Sequence, residues 1–242
     1  MNTRLLIAPQ HTTPNAPLWQ DRDQAGRELG MLLLHNDGPW RKRPSKGITP
    51  TAPPLVLALP RGGVAVAAPL AMALELELAT WSVRKMTLPE DPEYALGALS
   101  LGPTIIWSDS PSAISSITNE TRSAMIAAQE PELIRRQRTY GDPRPNQIRG
   151  RCVIVVDDGV ATGLTARAAL ASLKRLGAHD LVLAVPVIDR TVIGDLLADA
   201  THVAALAVVP DLIAVGRWFV SFDQLTEADV SRCLQRSNTS VP

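Results

Sequence analysis

Two adjacent carboxylates, Asp157 and Asp158, stand between an apolar run and a turn of small and hydroxyl-bearing residues, in the stretch VIVVDDGVATGLT at 153–165. Small residues let backbone N–H groups approach a ligand closely, and the amino terminus of a following helix favours negative charge. The turn is therefore suited to bind a phosphate monoester. The residues of this phosphate loop are Gly159, Ala161, Thr162, Gly163, Leu164 and Thr165.

The two carboxylates would repel a phosphate unless they bind a different part of the ligand. Each can accept a hydrogen bond from a hydroxyl, so the vicinal hydroxyls of a sugar fit, and a divalent metal ion bound nearby would offset the repulsion. The loop is not a Walker A motif, because Leu164 stands where that motif requires a lysine. The alternative interpretation is that Thr162 and Thr165 only cap a helix and that the aspartates only form a turn.

Cationic residues occur in two other short segments. The segment PRGG contains Arg61, Gly62 and Gly63, and the segment VRK contains Arg84 and Lys85. A guanidinium beside accessible backbone amides suits a highly charged anion such as pyrophosphate, although each cation alone is also compatible with an ordinary surface position. Together with the phosphate loop, they indicate a five-carbon sugar with phosphate at one end and pyrophosphate at the other, which is phosphoribosyl pyrophosphate.

Short apolar strands alternate with helices along the chain, a pattern typical of a parallel sheet covered by helices on both faces. The predicted strands are 55–59, 80–85, 102–109, 151–158, 181–188 and 202–210, and the predicted helices are 18–35, 64–78, 112–140, 161–178, 189–200 and 226–234. The carboxyl ends of parallel strands meet at one edge of the sheet, where ligands bind. We therefore expect the strand ends at Leu59, Val83 and Val156 to bring the three charged segments together.

The rest of the chain predicts one domain over residues 1–242. Proline, glycine and basic residues at 36–54 predict a flexible surface insertion. Residues 86–99 are expected to form a loop, and residues 236–242 a frayed tail. Pro131 is expected to break or kink the helix predicted around it.

Composition excludes several classes of protein. The chain has 242 residues with 24 basic and 24 acidic side chains, so no basic excess points to nucleic acid or an anionic membrane as a partner. Its apolar runs are shorter than the ~18 residues of a membrane span, and the first one is too short for a signal peptide. Cys152 and Cys233 lack CxxC spacing and are expected to be reduced thiols of a cytoplasmic protein.

The motifs together resemble those of the type I phosphoribosyltransferases. VIVVDDGVATGLT is similar to their phosphoribosyl-pyrophosphate motif, LPRGGVAVAAPLAMAL to their pyrophosphate loop and following helix, and VRK to the strand that leads into their mobile catalytic loop. More narrowly, the chain resembles a bacterial branch of predicted phosphoribosyltransferases, in which EYALGAL and AVGRWFVSF are further matching segments. The resemblance covers roughly Trp19 to Leu234.

The resemblance implies an α/β fold, a mostly parallel twisted sheet with helices on both faces, plus an amino-terminal helix and a carboxy-terminal hood and helix. It implies transfer of a 5-phosphoribosyl group from phosphoribosyl pyrophosphate to a nitrogenous base, a purine being one candidate, with release of pyrophosphate in nucleotide salvage. Mg²⁺ would be bound mainly through the substrate, with no metal ligand assigned to the protein. A homo-oligomer is compatible with the family, and no nucleic acid or membrane partner is expected.

Carried onto this sequence, the family's roles assign Asp157 and Asp158 to the ribose hydroxyls and residues 161–165 to the 5-phosphate. The side chains given catalytic roles are Asp157, Asp158, Arg61 and Lys85, and those that complete the pyrophosphate side are Gly62, Gly63 and Arg84. Trp218 and Phe219 could stack on the base, with core packing as the alternative for both.

One departure from the family keeps a second function open. Residues 86–99 carry Glu90, Asp91 and Glu93 but no lysine or arginine, whereas many relatives place a cation in this loop. The alternative is a regulatory protein that binds phosphoribosyl pyrophosphate or a nucleotide without turnover. A hydrolase is a weaker interpretation, because none of the four histidines falls in the three charged segments.

Overall fold

A computed structural model describes residues 4–8, 17–41, 52–88, 91–102, 104–110 and 117–239. Nine strands form two sheets in this part of the chain, and seven α-helices and two 3₁₀ helices accompany them. The strands are β1 (Leu5–Ile7), β2 (Leu55–Ala58), β3 (Glu77–Thr80), β4 (Val83–Leu88), β5 (Asp91–Ser100), β6 (Thr104–Trp107), β7 (Cys152–Val156), β8 (Asp180–Asp189) and β9 (His202–Val209). The helices are α1 (Arg22–His35), α2 (Gly62–Leu74), α3 (Asn119–Tyr140), α4 (Pro145–Ile148), α5 (Leu164–Arg175), α6 (Ile193–Asp199) and α7 (Glu227–Thr239), and the 3₁₀ helices are Arg190–Val192 and Val215–Trp218.

The larger sheet is entirely parallel and has the strand order β1-β9-β8-β7-β2-β3. Residue Ala58 at the end of β2 pairs with Val156 at the end of β7 and with Thr80 at the end of β3. The carboxyl ends of these three neighbouring strands are therefore level with one another. The α/β class predicted from the sequence is confirmed.

Both faces of this sheet are buried, which explains why its strands are continuous apolar runs. Val56 and Ile154 face a core that contains residues of α1 and α2, whereas Leu57 and Val155 face a core that contains residues of α5 and α6. Consecutive residues of a strand point to opposite faces, so a strand that is covered on both sides has no position for exposed polar residues.

Helix α1 begins later than the sequence predicts. Asp21 is its N-cap and accepts a hydrogen bond from the backbone N–H of Gln24 at 2.8 Å. The residues before it, Leu18 and Trp19, donate their backbone N–H groups to the carbonyl of Trp218 at 2.9 and 3.2 Å. The predicted start at Leu18 is wrong because these residues pair with the carboxy-terminal part of the chain instead.

The helix predicted at 64–78 is wrong in its last turn, since α2 ends at Leu74 and Glu75 adopts a left-handed conformation with φ of 53°. The next residues form β3, the edge strand of the parallel sheet. The VRK segment therefore does not end a strand of that sheet, as the sequence suggested. It begins β4, which belongs to the second sheet, although only Trp81 and Ser82 separate it from the carboxyl end of β3.

The second sheet corrects the prediction of a loop at 86–99. Strands β4, β5 and β6 are antiparallel neighbours in that order, with a register shift after Met86. Met86, Leu96 and Leu99 are buried against Met125 and Leu133 of α3. Packing in this separate apolar cluster under α3 explains why the acidic, proline-containing segment forms paired strands and not a loop.

Helix α3 continues from Asn119 to Tyr140 with exposed Pro131 inside it, so Pro131 does not break the helix. Helix α7 likewise continues beyond the point where the sequence predicts a frayed tail. Ser237 is buried, and the Asn238 side chain both accepts a hydrogen bond from the N–H of Leu78 at 3.0 Å and donates one to its carbonyl at 2.9 Å. Asn238 thereby satisfies backbone groups on edge strand β3.

The insertion predicted at 36–54 lies partly outside the described residues. Its first part is anchored, because Trp40 is buried and its indole N–H donates to the carbonyl of Leu33 at 2.8 Å. Cys152 and Cys233 are both free thiols, as predicted. No helix among the described residues has the length and apolar content needed to cross a membrane.

Candidate functional site

The site lies where the carboxyl ends of β2 and β7 lie side by side. Leu59, which follows β2, donates its N–H to the carbonyl of Val156 at 2.9 Å, and its own carbonyl accepts a bond from the N–H of Gly63 at 3.2 Å. These bonds bring the loop that contains Arg61 against the loop that contains Asp157. Two segments almost 100 residues apart in sequence therefore form one surface.

Two glycines make this contact close. A Cβ atom at Gly62 would lie 1.9 Å from Oδ2 of Asp158, and one at Gly63 would lie 2.6 Å from the carbonyl oxygen of Val156. Real side chains do not approach so closely, so only glycine permits the acids and the PRGG turn to occupy their positions.

Burial favours the protonated form of both acids. The pKa of Asp157 is raised well above its usual value by burial and by the neighbouring Asp158, while Lys85 and Arg22 act in the opposite direction. The pKa of Asp158 is also raised by burial, and Arg22 and then Lys85 oppose that rise. Asp157 Oδ1 accepts a hydrogen bond from the backbone N–H of Asp158 at 2.9 Å, which holds the Asp157 carboxylate against the backbone of the loop.

Arg22, at the start of α1, is a site residue that the sequence interpretation missed. Its Nε donates to Oδ2 of Asp158 at 2.9 Å, and both side chains are largely buried. A signal was present in the sequence, since Arg22 occupies the same helical stripe as buried Ala25 and Leu29. A charged residue on an apolar stripe needs a buried partner.

The phosphate loop connects β7 to α5. Val160 is hydrogen-bonded to β8 through both of its backbone groups. Its N–H donates to the carbonyl of Val187, and its carbonyl accepts from the N–H of Asp189, each at 2.9 Å. Gly163 is the N-cap of α5 with φ of +76°, and no side chain caps the helix there. Thr162 therefore does not cap the helix, and its side chain is exposed. Thr165 is half-buried in the first turn of α5. The first-turn N–H groups of a helix are natural donors to an anion.

The VRK residues face two different surroundings. Lys85 is exposed, and its charge acts on both acids. Arg84 donates from Nε and from a terminal nitrogen to Oε1 of Gln129 in α3, at 3.0 and 2.9 Å. Its pKa is lowered by burial first, and then by nearby arginines that include Arg136 and Arg61. The charges of Arg61 and Arg84 are therefore close enough to act on each other.

Residues 215–223 form the carboxy-terminal hood, and their aromatic side chains differ in their surroundings. Phe219 is buried and packs between Trp19, at 5.3 Å between ring centroids, and Phe222, at 5.0 Å. Core packing, one of its two expected roles, accounts for Phe219. Trp218 is only half-buried. The hood reaches the phosphate loop at Gly159, where a Cβ atom would lie 2.6 Å from Val215.

Comparisons with known proteins agree with this fold. The family model described as "Phosphoribosyl transferase domain" matches residues 45–205. Two Mycobacterium tuberculosis proteins, each named "Putative phosphoribosyl transferase", are 33% identical over 225 residues, which is 91% of this chain and 47% of theirs. The crystal structure of TT1426 from Thermus thermophilus is 34% identical, has a TM-score of 0.64, and aligns with 90% of this chain and 98% of its own.

The fold and these matches define the class: the chain belongs to the phosphoribosyl transferase domain family. It spans about half the length of the two mycobacterial relatives.

Proposed function

We propose that the protein transfers a 5-phosphoribosyl group from phosphoribosyl pyrophosphate to a nitrogenous base and releases pyrophosphate. The contact between Gly62 and Asp158 carries this proposal, because it places the PRGG turn directly beside the paired acids. One ligand that has sugar hydroxyls next to a pyrophosphate group would meet both segments at once.

In the proposed complex, Asp157 and Asp158 accept hydrogen bonds from the ribose hydroxyls. The 5-phosphate lies at the uncapped amino terminus of α5, where Thr162, Gly163 and Thr165 surround it. Residues Gly159, Ala161 and Leu164 shape this loop, and Arg61, Gly62, Gly63, Arg84 and Lys85 form the pyrophosphate side.

The reaction forms a bond from a nitrogen of the base to the anomeric carbon and breaks the bond from that carbon to pyrophosphate. Charge that develops on the departing oxygen is stabilised by Arg61 and Lys85. The two carboxylates orient the ribose as positive charge develops on its ring. The protein needs no nucleophile of its own, which agrees with the composition of the site.

Mg²⁺ fits this site as a companion of the substrate. The described part of the chain contains no cluster of three or more His, Cys, Asp or Glu side chains that could hold a metal ion. Mg²⁺ often takes most of its ligands from phosphate oxygens and water. When bound through the substrate, it would neutralise part of the pyrophosphate charge.

Trp218 is the remaining candidate for stacking on the base, and the acceptor could be a purine. We place the activity in the cytoplasm because such highly charged substrates do not cross membranes unaided, and a homo-oligomer is compatible with it.

A second candidate function is ligand binding without turnover, as a regulatory protein. The absence of lysine and arginine from residues 86–99 favours it, because no cation from this segment can assist the departure of pyrophosphate.

Incubation with phosphoribosyl pyrophosphate, Mg²⁺ and a panel of bases tests the proposal, with pyrophosphate release and nucleotide formation measured together. The control is the double variant Asp157→Asn/Asp158→Asn. Base-dependent turnover that the control lacks supports transfer. Binding of phosphoribosyl pyrophosphate without turnover for any base supports the regulatory alternative, and no binding overturns both.

A further inference from the structure

Asp158 is held by a residue from outside the three charged segments. Arg22 donates from Nε to Oδ2 of Asp158 at 2.9 Å, and a terminal nitrogen of the same guanidinium donates to the backbone carbonyl of Asp223 at 3.0 Å. The guanidinium carbon also lies 3.6 Å from the centre of the Phe222 ring. Arg22 therefore links the sugar side of the site to the carboxy-terminal hood.

This ion pair is buried, with side-chain exposures of 10% for Arg22 and 17% for Asp158. A charge in such surroundings is costly without a partner. The two oxygens of the Asp158 carboxylate have different surroundings. Oδ2 is the one closer to Gly62, and it accepts the hydrogen bond from Arg22. The backbone N–H of Asp158 itself also interacts with this carboxylate. Within the described residues, no hydrogen bond from another residue to Oδ1 is found, so this oxygen can still accept one from a ligand.

We propose that Arg22 is the positioning residue of the sugar site: it fixes the orientation and the charge of Asp158, so that Oδ1 can accept a ribose hydroxyl. This inference rests on the proposed function. It also assigns a role to α1 and to the Phe222 segment, since both hold the guanidinium in place. Arg22 itself need not touch the ligand.

The groups that face Asp158 define how the site should respond to pH. They are Arg22 from α1, Lys85 from β4 and Asp157 from the same loop, with the uncharged backbone of Gly62 on the remaining side. Arg22 is the stronger of the two opposing cations. Without it, the pKa of Asp158 should rise further, and ligand binding should be lost at a higher pH during acidification.

The experiment compares the wild type with Arg22→Met and Arg22→Lys. Methionine keeps much of the length and the contact with Phe222 but removes the charge, whereas lysine keeps the charge and loses the fork-shaped donor set. Arg27→Met is the matched control, because Arg27 is on the same helix and is exposed. Ribose 5-phosphate and inorganic pyrophosphate are titrated calorimetrically with Mg²⁺ from mildly acidic to neutral pH.

We expect Arg22→Met to weaken ribose 5-phosphate binding by about tenfold or more at neutral pH and to shift its loss on acidification to higher pH. Arg22→Lys should recover part of the affinity and most of the pH profile, and pyrophosphate affinity should change little. If Arg22→Met does not fold, the lysine variant carries the test: a pH profile shifted upward without any loss of charge at position 22 would contradict the inference.

Two failures remain distinguishable. A wild type that binds neither ribose 5-phosphate nor phosphoribosyl pyrophosphate overturns the proposed function, and the inference with it. If the wild type binds ribose 5-phosphate and Arg22→Met binds it with equal affinity and an unchanged pH profile, only the inference about Arg22 is overturned. Equal loss of affinity for ribose 5-phosphate and inorganic pyrophosphate would show a general structural role for Arg22 and would also overturn the inference.

Discussion

Gly62 and Asp158 are in such close contact that a Cβ atom at position 62 would lie 1.9 Å from Oδ2 of Asp158 and 2.6 Å from its Cγ. The same oxygen accepts the hydrogen bond from Arg22. A turn after β2, an acid after β7 and the first residue of α1 thus meet at one carboxylate. Any side chain at position 62 must displace that carboxylate.

The substitution Gly62→Ala should therefore reduce both stability and ligand binding. We expect a loss of about 1–3 kcal/mol in the free energy of unfolding, since overpacking a buried contact has this cost. Gly194→Ala is the matched control, because nothing lies within 4 Å of a Cβ atom at that helical position. Denaturant unfolding measures both variants. A Gly62→Ala protein as stable as the wild type, with unchanged affinity for phosphoribosyl pyrophosphate, would show that the contact is looser than the structure has it.

Asp157→Asn should stabilise the protein at neutral pH. The pKa of Asp157 is raised in the folded state by burial and by Asp158, so the folded protein binds this proton more tightly than the unfolded chain. Stability is therefore lost as pH rises from the unfolded pKa through the folded pKa, and an uncharged amide avoids that loss.

Thermal unfolding as a function of pH tests this prediction, with exposed Asp37→Asn as the control. The advantage of Asp157→Asn over the wild type should shrink as the pH falls towards the unfolded pKa of an aspartate, about 3.9. An advantage that grew on acidification would mean that the folded protein lowers this pKa instead.

Asn238→Ala should destabilise the protein without affecting the site. The side chain of Asn238 makes two hydrogen bonds to the backbone of Leu78, on the edge strand β3. Losing them should cost about 1–2 kcal/mol. Asn238→Asp keeps the acceptor but places a carboxylate oxygen against the carbonyl of Leu78, so it should also be less stable than the wild type. If Asn238→Ala has the same free energy of unfolding as the wild type, residues 236–239 are frayed, as the sequence predicts.

Arg61→Ala should separate the two ends of the ligand. We expect about ten- to hundredfold weaker binding of phosphoribosyl pyrophosphate, the usual value of a charge-assisted contact, with ribose 5-phosphate affected little. Calorimetric titration of both ligands measures the difference, and Arg27→Ala provides an exposed arginine control. Similar weakening toward both ligands would remove Arg61 from the pyrophosphate side.

The parallel sheet and the two acids were predictable because strong local patterns mark them. Val153 to Val156 form a continuous apolar run, because side chains on both faces of the sheet are buried. The two acids follow directly after the last residue of this strand. The second sheet was not predictable in this way. Its strands depend on an apolar cluster shared with α3, which includes Met86 and Met125 and which no short stretch of sequence shows.

Arg22 was missed for a related reason. Its partner, Asp158, is 136 residues away in the sequence, so the pattern shows only a charged residue on an apolar stripe and not what neutralises it. Asn238 was missed because its bonds to Leu78 form across 160 residues. Long-range partners of polar side chains are the part of the site that sequence patterns do not specify.

In the proposed complex, the phosphate loop holds the 5-phosphate and the PRGG turn holds pyrophosphate. Thr165→Ala tests it with little change in shape, since Thr165 lies in the first turn of α5 and alanine favours helix. The measurement is calorimetric titration of this variant with ribose 5-phosphate, phosphoribosyl pyrophosphate and inorganic pyrophosphate in the presence of Mg²⁺. We predict weaker binding of the first two ligands alike, by about tenfold, and nearly unchanged binding of inorganic pyrophosphate. A Thr165→Ala protein that loses affinity for inorganic pyrophosphate but keeps its affinity for ribose 5-phosphate would mean that the ligand binds in the opposite direction.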